Sequence, residues 1–396
     1  MLSLEQATDD VLALVHPLPA EMVRTSDALG AVLAADLVAT VDTPPFDASA
    51  MDGFAVRAAD LDGAPVELRV VGTASSGHPS DAEVVAGTAA RILTGAVVPE
   101  GADAVVPVED TDAGTDVVTV RTSVPAGRHV RVRGEVGRAG DLLISAPALL
   151  TAGHLGVAAA NGLAEVLVHR APKVAIVTTG DELVSPGHGE LGPGQIYDSN
   201  STLSEQLVMS AGGVAHVVHA ADDAPLIGAL LEALAPEVDL ILTSGGISMG
   251  AEFDPLRAAL GEHPVRFEQV AIRPAKPLAF GRVGECTYIG LPGNPVSVVV
   301  AFELFVRPAL RRLRGIDPAV APRSTGRLAN DLERADDGKT HLVPVAVRQD
   351  GTWEPTPLAG SHALVGVAAA SALAVVPNGH TRLTGGSEVE LLPLWG

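Results

Sequence analysis

Between residues 173 and 313 the chain repeats one pattern, in which a run of branched apolar residues ends in glycine or carboxylates and a helical stretch follows. The apolar runs are KVAIVTTG, VAHVVHAADD and VDLILTSGG, and the stretches NSTLSEQLVMSAG, PLIGALLEALAP and DPLRAALGE have helical spacing. Strands that alternate with helices form right-handed crossovers and a mostly parallel, buried sheet. Because ligands of such sheets bind at the carboxyl ends of the strands, the loops that follow these runs predict a binding site.

Two other kinds of sequence flank this α/β segment. Residues 3–37 have the apolar spacing of helices in LEQATDDVLALV and SDALGAVLAADL, and helical character returns in TAGHLGVAAANG. Short β-like runs separated by turn residues lie between them and again at the end of the chain. We therefore predict a helical N-terminal domain (1–41 and 139–171) interrupted by an inserted β domain (42–138), then an α/β domain (172–318) and a C-terminal β domain (319–396).

Composition argues against several classes of function. The 396 residues carry a formal net charge of -22, whereas nucleic acids and anionic membrane surfaces are bound through clustered Lys and Arg. The single cysteine, Cys286, can form neither an internal disulfide nor a thiolate metal cluster, and we interpret it as a buried apolar residue. No HxH or HExxH spacing indicates a catalytic zinc site. Without a secretory signal or an apolar span, we expect a cytoplasmic protein.

The loops at the strand ends are rich in glycine and short polar side chains. The candidate residues are Gly180, Asp181 and Glu182 in TTGDEL, Ser199 and Asn200 in YDSN, Ser244, Gly245, Gly246, Ser248 and Gly250 in SGGISMG, and Pro292, Gly293, Asn294, Pro295 and Ser297 in LPGNPVS. Glycine loops and a helix N-terminus expose backbone N–H groups, which favours a phosphate-bearing ligand. Alternatives stay open, because turn acids are often only solvated and Ser199 or Asn200 could cap a helix.

Two further segments supply charge. AIRPAKPLAF places Arg273 and Lys276 in a proline-stiffened stretch before a strand, where they serve either an anion or surface solubility. DDAP places Asp222 and Asp223 at another strand end, and carboxylate oxygens are ligands that suit Mg²⁺ better than zinc.

Five motifs, in this order, carry a resemblance to a known family. PPFDASAMDGFAV, RILTGAVVPEGADAVVPVED, TTGDEL, SGGISMG and LPGNPVS resemble the MoeA-type molybdopterin molybdenumtransferases, which include the gephyrin E domain, over essentially the whole chain. The resemblance implies an L-shaped homodimer of four-domain subunits with a pterin-binding α/β domain. It also implies a reaction in which adenylated molybdopterin is hydrolysed with Mg²⁺, AMP leaves and molybdate is inserted into the dithiolene. The implied partners are an upstream molybdopterin adenylyltransferase and molybdenum enzymes or their chaperones.

The resemblance also assigns roles to residues. It implies that the glycine loops and LPGNPVS hold the pterin and phosphates, and that Asp52 of SAMDG faces the α/β domain of a partner subunit, with Thr94 nearby. The implied catalytic residues are Asp52, Thr94, Glu182 and Asp222, the metal ligands are Glu182, Asp222 and Asp254, and the molybdate region contains Arg273, Lys276, Ser297 and Ser361.

Three positions depart from the family pattern. Val136 replaces an acid in RGEV, Ala275 replaces a glycine in RPAKP and restricts the backbone, and Pro344 occupies the place of an arginine, for which Arg348 or His341 could substitute. Val136 and Pro344 together support an alternative, a divergent paralogue that binds molybdopterin or a nucleotide in a binding or scaffold role without efficient metal insertion. A second alternative is an unrelated Mg²⁺-dependent nucleotide or sugar-phosphate enzyme. The sequence does not separate molybdate from tungstate.

Overall fold

The structure, a computed structural model, describes residues 1–247, 254–357 and 363–395. Three residues of the predicted site, Ser248, Gly250 and Ser361, lie outside these ranges.

The N-terminal region begins with a helix, α1 (Leu4–Leu12), and is otherwise mostly strands. A capping box starts α1, because the Ser3 hydroxyl accepts from the Gln6 backbone while the Gln6 side chain accepts from the Ser3 backbone. The remaining elements are β1 (Ala20–Arg24), β2 (Val32–Leu33), β3 (Leu37–Val38), β4 (Ala48–Ser49), β5 (Gly53–Val56), β6 (Val66–Ala74), β7 (Thr88–Ile92), β8 (Ala104–Pro107), β9 (Val117–Val120), β10 (Val130–Arg131), β11 (Leu142–Ile144), β12 (Ala148–Leu149), α2 (Ala152–Ala160) and β13 (Glu165–His169).

The prediction of a helix across SDALGAVLAADL is wrong. This segment contains β2 and the start of β3, and the predicted helical domain is a mixed region around a four-stranded sheet in the order β1-β13-β2-β12. Its strands pair across a long sequence separation, with Ala20 opposite His169. Leu33, Val166 and Val168 are buried in one cluster, so tertiary pairing overrides the helical preference of the Ala and Leu residues.

A five-stranded sheet in the order β8-β5-β7-β6-β9 lies within the predicted inserted β segment. Strand β5 pairs with both β7 and β8, and its residue Phe54 is fully buried in the apolar cluster of this sheet. Gly53 is required at the start of β5, because a Cβ there would lie 1.9 Å from the Val106 carbonyl oxygen. This close approach sets the position of the residue before it, Asp52.

The α/β segment forms one six-stranded sheet in the order β17-β14-β18-β22-β21-β19. Its elements are β14 (Lys173–Thr179), β15 (Leu183–Val184), β16 (Ile196–Tyr197), α3 (Ser199–Ser210), β17 (Val214–Ala220), α4 (Ala224–Leu234), β18 (Leu240–Ser244), α5 (Pro255–Ala259), β19 (Val265–Gln269), β20 (Ile272–Arg273), β21 (Pro277–Val283), β22 (Cys286–Leu291), α6 (Pro295–Ala301), a π-helical turn (Phe302–Val306) and α7 (Arg307–Leu313). Strands β17, β14, β18 and β22 run parallel, and β21 runs antiparallel to both of its neighbours, β22 and β19. The mostly parallel sheet is therefore confirmed, and helix α1 packs into its aliphatic core.

The C-terminal segment is a second six-stranded sheet, to which the α/β segment contributes β20. Its elements are β23 (Ser324–Arg327), β24 (Leu332–Glu333), β25 (Thr340–Val347), β26 (Trp353–Pro355), α8 (Leu364–Ala368), β27 (Ala372–Val376), β28 (Arg382–Leu383) and β29 (Glu388–Pro393). The prediction that this segment contains only strands is wrong, because it also contains the helix α8. Nowhere in the described ranges does a helix have the length and apolar content that a membrane crossing needs.

Candidate functional site

A crevice opens where the parallel strands β14, β18 and β22 end. Thr178 pairs with Ser244 and Ser244 pairs with Leu291, so the loops after the three strands start side by side. The Gly245 N–H donates to the Leu291 carbonyl at 3.1 Å, which continues the pairing into the glycine loop. The prediction that these loops meet at one sheet edge is thus confirmed.

Carboxylates gather at one side of this crevice. Gly180 has φ +145°, a conformation that favours glycine, and a Cβ there would lie 2.5 Å from a carboxylate oxygen of Glu182 and would displace that side chain. The Asp181 N–H donates to the Asp222 carboxylate at 3.3 Å, and the Asp222 N–H donates back to Asp181 at 3.2 Å. The reciprocal bonds join the ends of β14 and β17 and leave both carboxylates exposed.

Asn200 links helix α3 to the two glycine loops. Its Nδ2 donates to the Ser244 hydroxyl at 2.9 Å and to the Gly293 carbonyl at 2.6 Å, while its buried Oδ1 has no hydrogen-bond partner in the described part of the chain. The capping interpretation of Ser199 or Asn200 is wrong. The N-cap of α3 is Asp198, which accepts from the Ser201 N–H and leaves Asn200 available to the crevice.

The LPGNPVS segment places the start of α6 between this crevice and a second cavity. Pro292 is buried, Gly293 approaches Gly245, Asn294 is the N-cap residue and Pro295 is the first helical residue. The Ser297 side chain, 5% exposed, lines the second cavity. The N-terminal end of α6 therefore lies between the crevice and the second cavity.

The predicted metal ligands do not form a cage. Asp254 is the N-cap of α5, where its carboxylate accepts from the Leu256 N–H at 3.0 Å and lies beside Gly246, at which φ is +69°. Over residues 1–247, 254–357 and 363–395, no group of three or more His, Cys, Asp or Glu side chains is placed to hold an ion. Glu182 and Asp222 offer exposed carboxylates without a third protein ligand, so a Mg²⁺ ion at this edge would need further oxygen ligands.

The second cavity, of about 720 Å³, lies where β20 and the segment after it meet the C-terminal sheet. Its charged and polar lining residues are Arg273, Lys276, Ser297, Glu333, Arg334, Lys339 and His341. The structure thus brings Arg273, Lys276 and Ser297 to one cavity, as the prediction requires. Sequence reasoning missed Arg334 and Lys339, because no local motif marks them and only the pairing of β20 with β25 brings them to this place.

Asp337 connects several cations of this cavity. Its carboxylate accepts from Lys339 at 2.9 Å, from His341 at 3.0 Å and from Arg273 at 3.1 Å. The bonds from Lys339 and then His341 hold the pKa of Asp337 well below its usual range. Because Arg273 belongs to β20 and the other two lie at β25, this carboxylate also ties the two sheets together.

The positions that depart from the family pattern have distinct surroundings. Ala275 has φ +69°, so the backbone keeps a conformation that favours glycine although the residue carries a Cβ. Pro344 lines the cavity, Val136 is 77% exposed, and His341 is buried at the cavity wall. Arg348 is exposed and pairs with Glu354 at 3.2 Å, and it is not among the residues that line the described cavity.

The predicted neighbours Asp52 and Thr94 meet in the five-stranded sheet region. The Asp52 carboxylate accepts from both the N–H and the hydroxyl of Thr94, each at 2.7 Å. These two bonds lower the pKa of Asp52, so that the exposed carboxylate stays ionised at neutral and mildly acidic pH.

Comparisons with known proteins cover almost the whole chain. Residues 2–162 match the model of the MoeA N-terminal region (domain I and II), residues 175–312 match a probable molybdopterin binding domain, and residues 325–394 match the MoeA C-terminal region (domain IV).

Individual proteins are similar over the same length. Molybdopterin molybdenumtransferase 2 of Mycobacterium tuberculosis is 39% identical over 94% of each chain, and the molybdopterin molybdenumtransferase of a Nostoc species is 36% identical over 94% of this chain and 88% of its own. A crystal structure of a molybdopterin biosynthesis MoeA protein from Pyrococcus horikoshii superimposes with a TM-score of 0.83 at 27% identity, covering 99% of both chains.

Proposed function

This chain belongs to the MoeA family of molybdopterin molybdenumtransferases, and from that premise we propose that it inserts molybdate into adenylated molybdopterin and releases AMP. The observation that carries the proposal is the shared start of α6. Gly293 on the crevice side accepts from Asn200, and Ser297 lines the cationic cavity. A ligand with phosphates in the crevice would therefore present its other end near a pocket suited to an oxyanion.

In this proposal the glycine loops hold the phosphates and pterin through backbone N–H groups. The loops at Gly180, Gly245 and Gly293 are the ones whose backbone would approach the ligand. A bound Mg²⁺ would offset phosphate charge during hydrolysis, and Glu182 and Asp222 are the residues that would hold it. Two carboxylates without a third protein ligand fit an ion that completes its octahedral shell with substrate phosphates and water.

Molybdate, the second substrate, is assigned to the cavity lined by Arg273, Lys276 and Ser297, to which Ser361 is added from the family resemblance. Asp52 and Thr94 complete the catalytic set, and the family resemblance implies that they act at the crevice of a partner copy of the chain. The proposal includes a homodimer, cytoplasmic location, an upstream adenylyltransferase and acceptor molybdenum enzymes or their chaperones, which all rest on the resemblance.

A single-turnover assay tests the function. Purified protein, adenylated molybdopterin, Mg²⁺ and molybdate are mixed, and AMP release and active cofactor are followed together. Glu182→Ala should abolish AMP release while ligand binding stays within a few-fold, whereas the matched control Glu190→Ala, an exposed acid of the same segment, should behave as wild type. Unchanged turnover in Glu182→Ala removes that residue from the mechanism.

Mixing variants tests the shared site. Asp52→Ala and Glu182→Ala proteins, each inactive alone, should regain part of the activity when exchanged into mixed dimers. If no mixture gains activity, the two residues do not act across a dimer.

The divergent-paralogue function is favoured by one observation, the proline at position 344 in the wall of the oxyanion cavity. It predicts that adenylated molybdopterin binds but that neither AMP nor active cofactor forms.

A further inference from the structure

The cations of the cavity fall into two groups. Arg273 and Lys339 are both ion-paired to Asp337, at 3.1 and 2.9 Å. Lys276 and Arg334 also line the cavity, but in the described ranges no carboxylate lies within 4.0 Å of either charge. Two positive charges that have no carboxylate partner among the described residues of one cavity indicate a place for a dianion.

Arg334 is held in place by its backbone and by one side-chain bond. It follows β24 directly, its N–H donates to the Thr381 carbonyl at 2.8 Å, and its guanidinium donates to the Glu333 carbonyl at 2.9 Å. Burial, and then the neighbouring Arg273, lower the pKa of Arg334. The positive charge of Arg334 is therefore poorly compensated in the free protein. A bound anion would offset the free-energy cost of burying that charge.

The carboxylate nearest in sequence does not neutralise Arg334. Glu333 also lines the cavity, but its side chain is 74% exposed and its carboxylate lies 3.8 Å from the Arg382 Nε. The cavity therefore keeps an excess of positive charge in a protein whose formal net charge is -22.

We propose that Arg334 and Lys276 together bind a tetrahedral oxyanion in this cavity. In this arrangement Asp337 holds Arg273 and Lys339 in place at the sides of the cavity. A planar guanidinium can donate two parallel N–H bonds to such an anion, which an ammonium cannot. Arg334 would thereby supply, from the segment after β24, the guanidinium that position 344 on β25 lacks. This inference rests on the proposed function, in which the oxyanion is molybdate.

Titration of the full chain with molybdate, without pterin, tests the inference by calorimetry. We expect Arg334→Met to weaken binding roughly tenfold to a hundredfold, because a charge-assisted contact is lost, and Arg334→Lys to fall between. Arg348→Met is the matched control, since it removes an exposed arginine of the same sheet, and its affinity should equal that of wild type. Thermal unfolding midpoints of the variants check that each is folded.

Two results overturn the inference: wild-type binding in Arg334→Met, or no molybdate binding by the wild-type chain. Parallel titration with inorganic phosphate separates the two tetrahedral anions, and tighter binding of phosphate would assign the cavity to the phosphate of the ligand instead. The proposed function is tested separately. A wild-type chain that releases no AMP contradicts it whatever the titration shows, whereas normal AMP release with no effect of Arg334→Met contradicts only the role of Arg334.

Discussion

A buried pair of hydroxyl groups joins the two strands that carry the glycine loops of the crevice. Thr243 on β18 and Tyr288 on β22 are both fully buried, and their hydroxyl oxygens lie 2.7 Å apart. Burial raises the pKa of Tyr288, so the phenol stays protonated and the pair forms a neutral hydrogen bond. The bond lies one residue before Ser244, and we expect it to contribute to the stability of this sheet edge.

The size of the contribution follows from what each substitution leaves behind. Tyr288→Phe leaves the Thr243 hydroxyl buried without a partner, and Thr243→Val does the same to the phenol, so each should lower the free energy of unfolding by about 2 kcal/mol. The double variant replaces both partners by apolar groups and should cost about 1 kcal/mol. The singles sum to about 4 kcal/mol, which predicts a coupling energy of about 3 kcal/mol.

Guanidinium unfolding of the full chain, followed by far-ultraviolet circular dichroism, measures these differences at matched m-values. Thr287→Val is the control, because its hydroxyl donates to the Leu14 carbonyl on the other side of β22, and its cost should add to that of Tyr288→Phe. If the losses from Tyr288→Phe and Thr243→Val are also additive, the hydroxyl pair does not couple the strands and the reasoning is refuted.

Three further predictions concern other parts of the chain. Thr94→Val removes one of the bonds that lower the pKa of Asp52, so the carboxylate should protonate at higher pH and the acidic limb of AMP release should move upward; identical pH profiles would show that its ionisation is not needed. At Ala275, where φ is +69°, Ala275→Gly should change the free energy of unfolding little, whereas Ala275→Val should lower it by about 2 kcal/mol or more; an Ala275→Val variant as stable as wild type would exclude strain there. Glu303→Gln breaks the buried pair with Arg307, joined at 2.6 and 2.8 Å, and should cost about 3 kcal/mol in chemical unfolding; a cost below about 1 kcal/mol would contradict a buried charge left uncompensated.

The α/β segment could be predicted from the sequence because its signals are local. Branched apolar runs form β14, β17 and β18, and the glycine and carboxylate loops follow each run at once, so strand order along the chain already places them at one edge. The prediction of a helix in SDALGAVLAADL is wrong for the opposite reason. The short strands of this segment pair with partners far away in sequence, β2 with β12 and β13 and β3 with β11, and the local sequence does not indicate these partners.

For the same physical reason, the sequence predicts only two of the four cationic residues that line the cavity. Arg273 and Lys276 stand in a recognisable proline-rich motif, whereas Arg334 and Lys339 lie in a polar loop with no pattern of its own. Their position in the cavity depends on the parallel pairing of Arg273 with His341, a contact between residues of different segments. The sequence suggests Arg348 or His341, both near Pro344, as substitutes for a missing arginine, whereas in the structure Arg334, ten positions earlier, lines the same cavity as Pro344.

The participation of β20 in the C-terminal sheet has a mechanical consequence. Ile272 pairs with Thr340, the Thr340 N–H donates to the Ala271 carbonyl at 2.9 Å, and the N-terminal residue Leu2 bonds to the same connection from the other side. Moving the C-terminal sheet away from the α/β segment would break these main-chain bonds. The two sides of the cavity, one from each segment, are therefore held together by backbone as well as by the Arg273–Asp337 contact. We expect the spacing between β20 and β25 to stay the same when side chains that line the cavity are substituted.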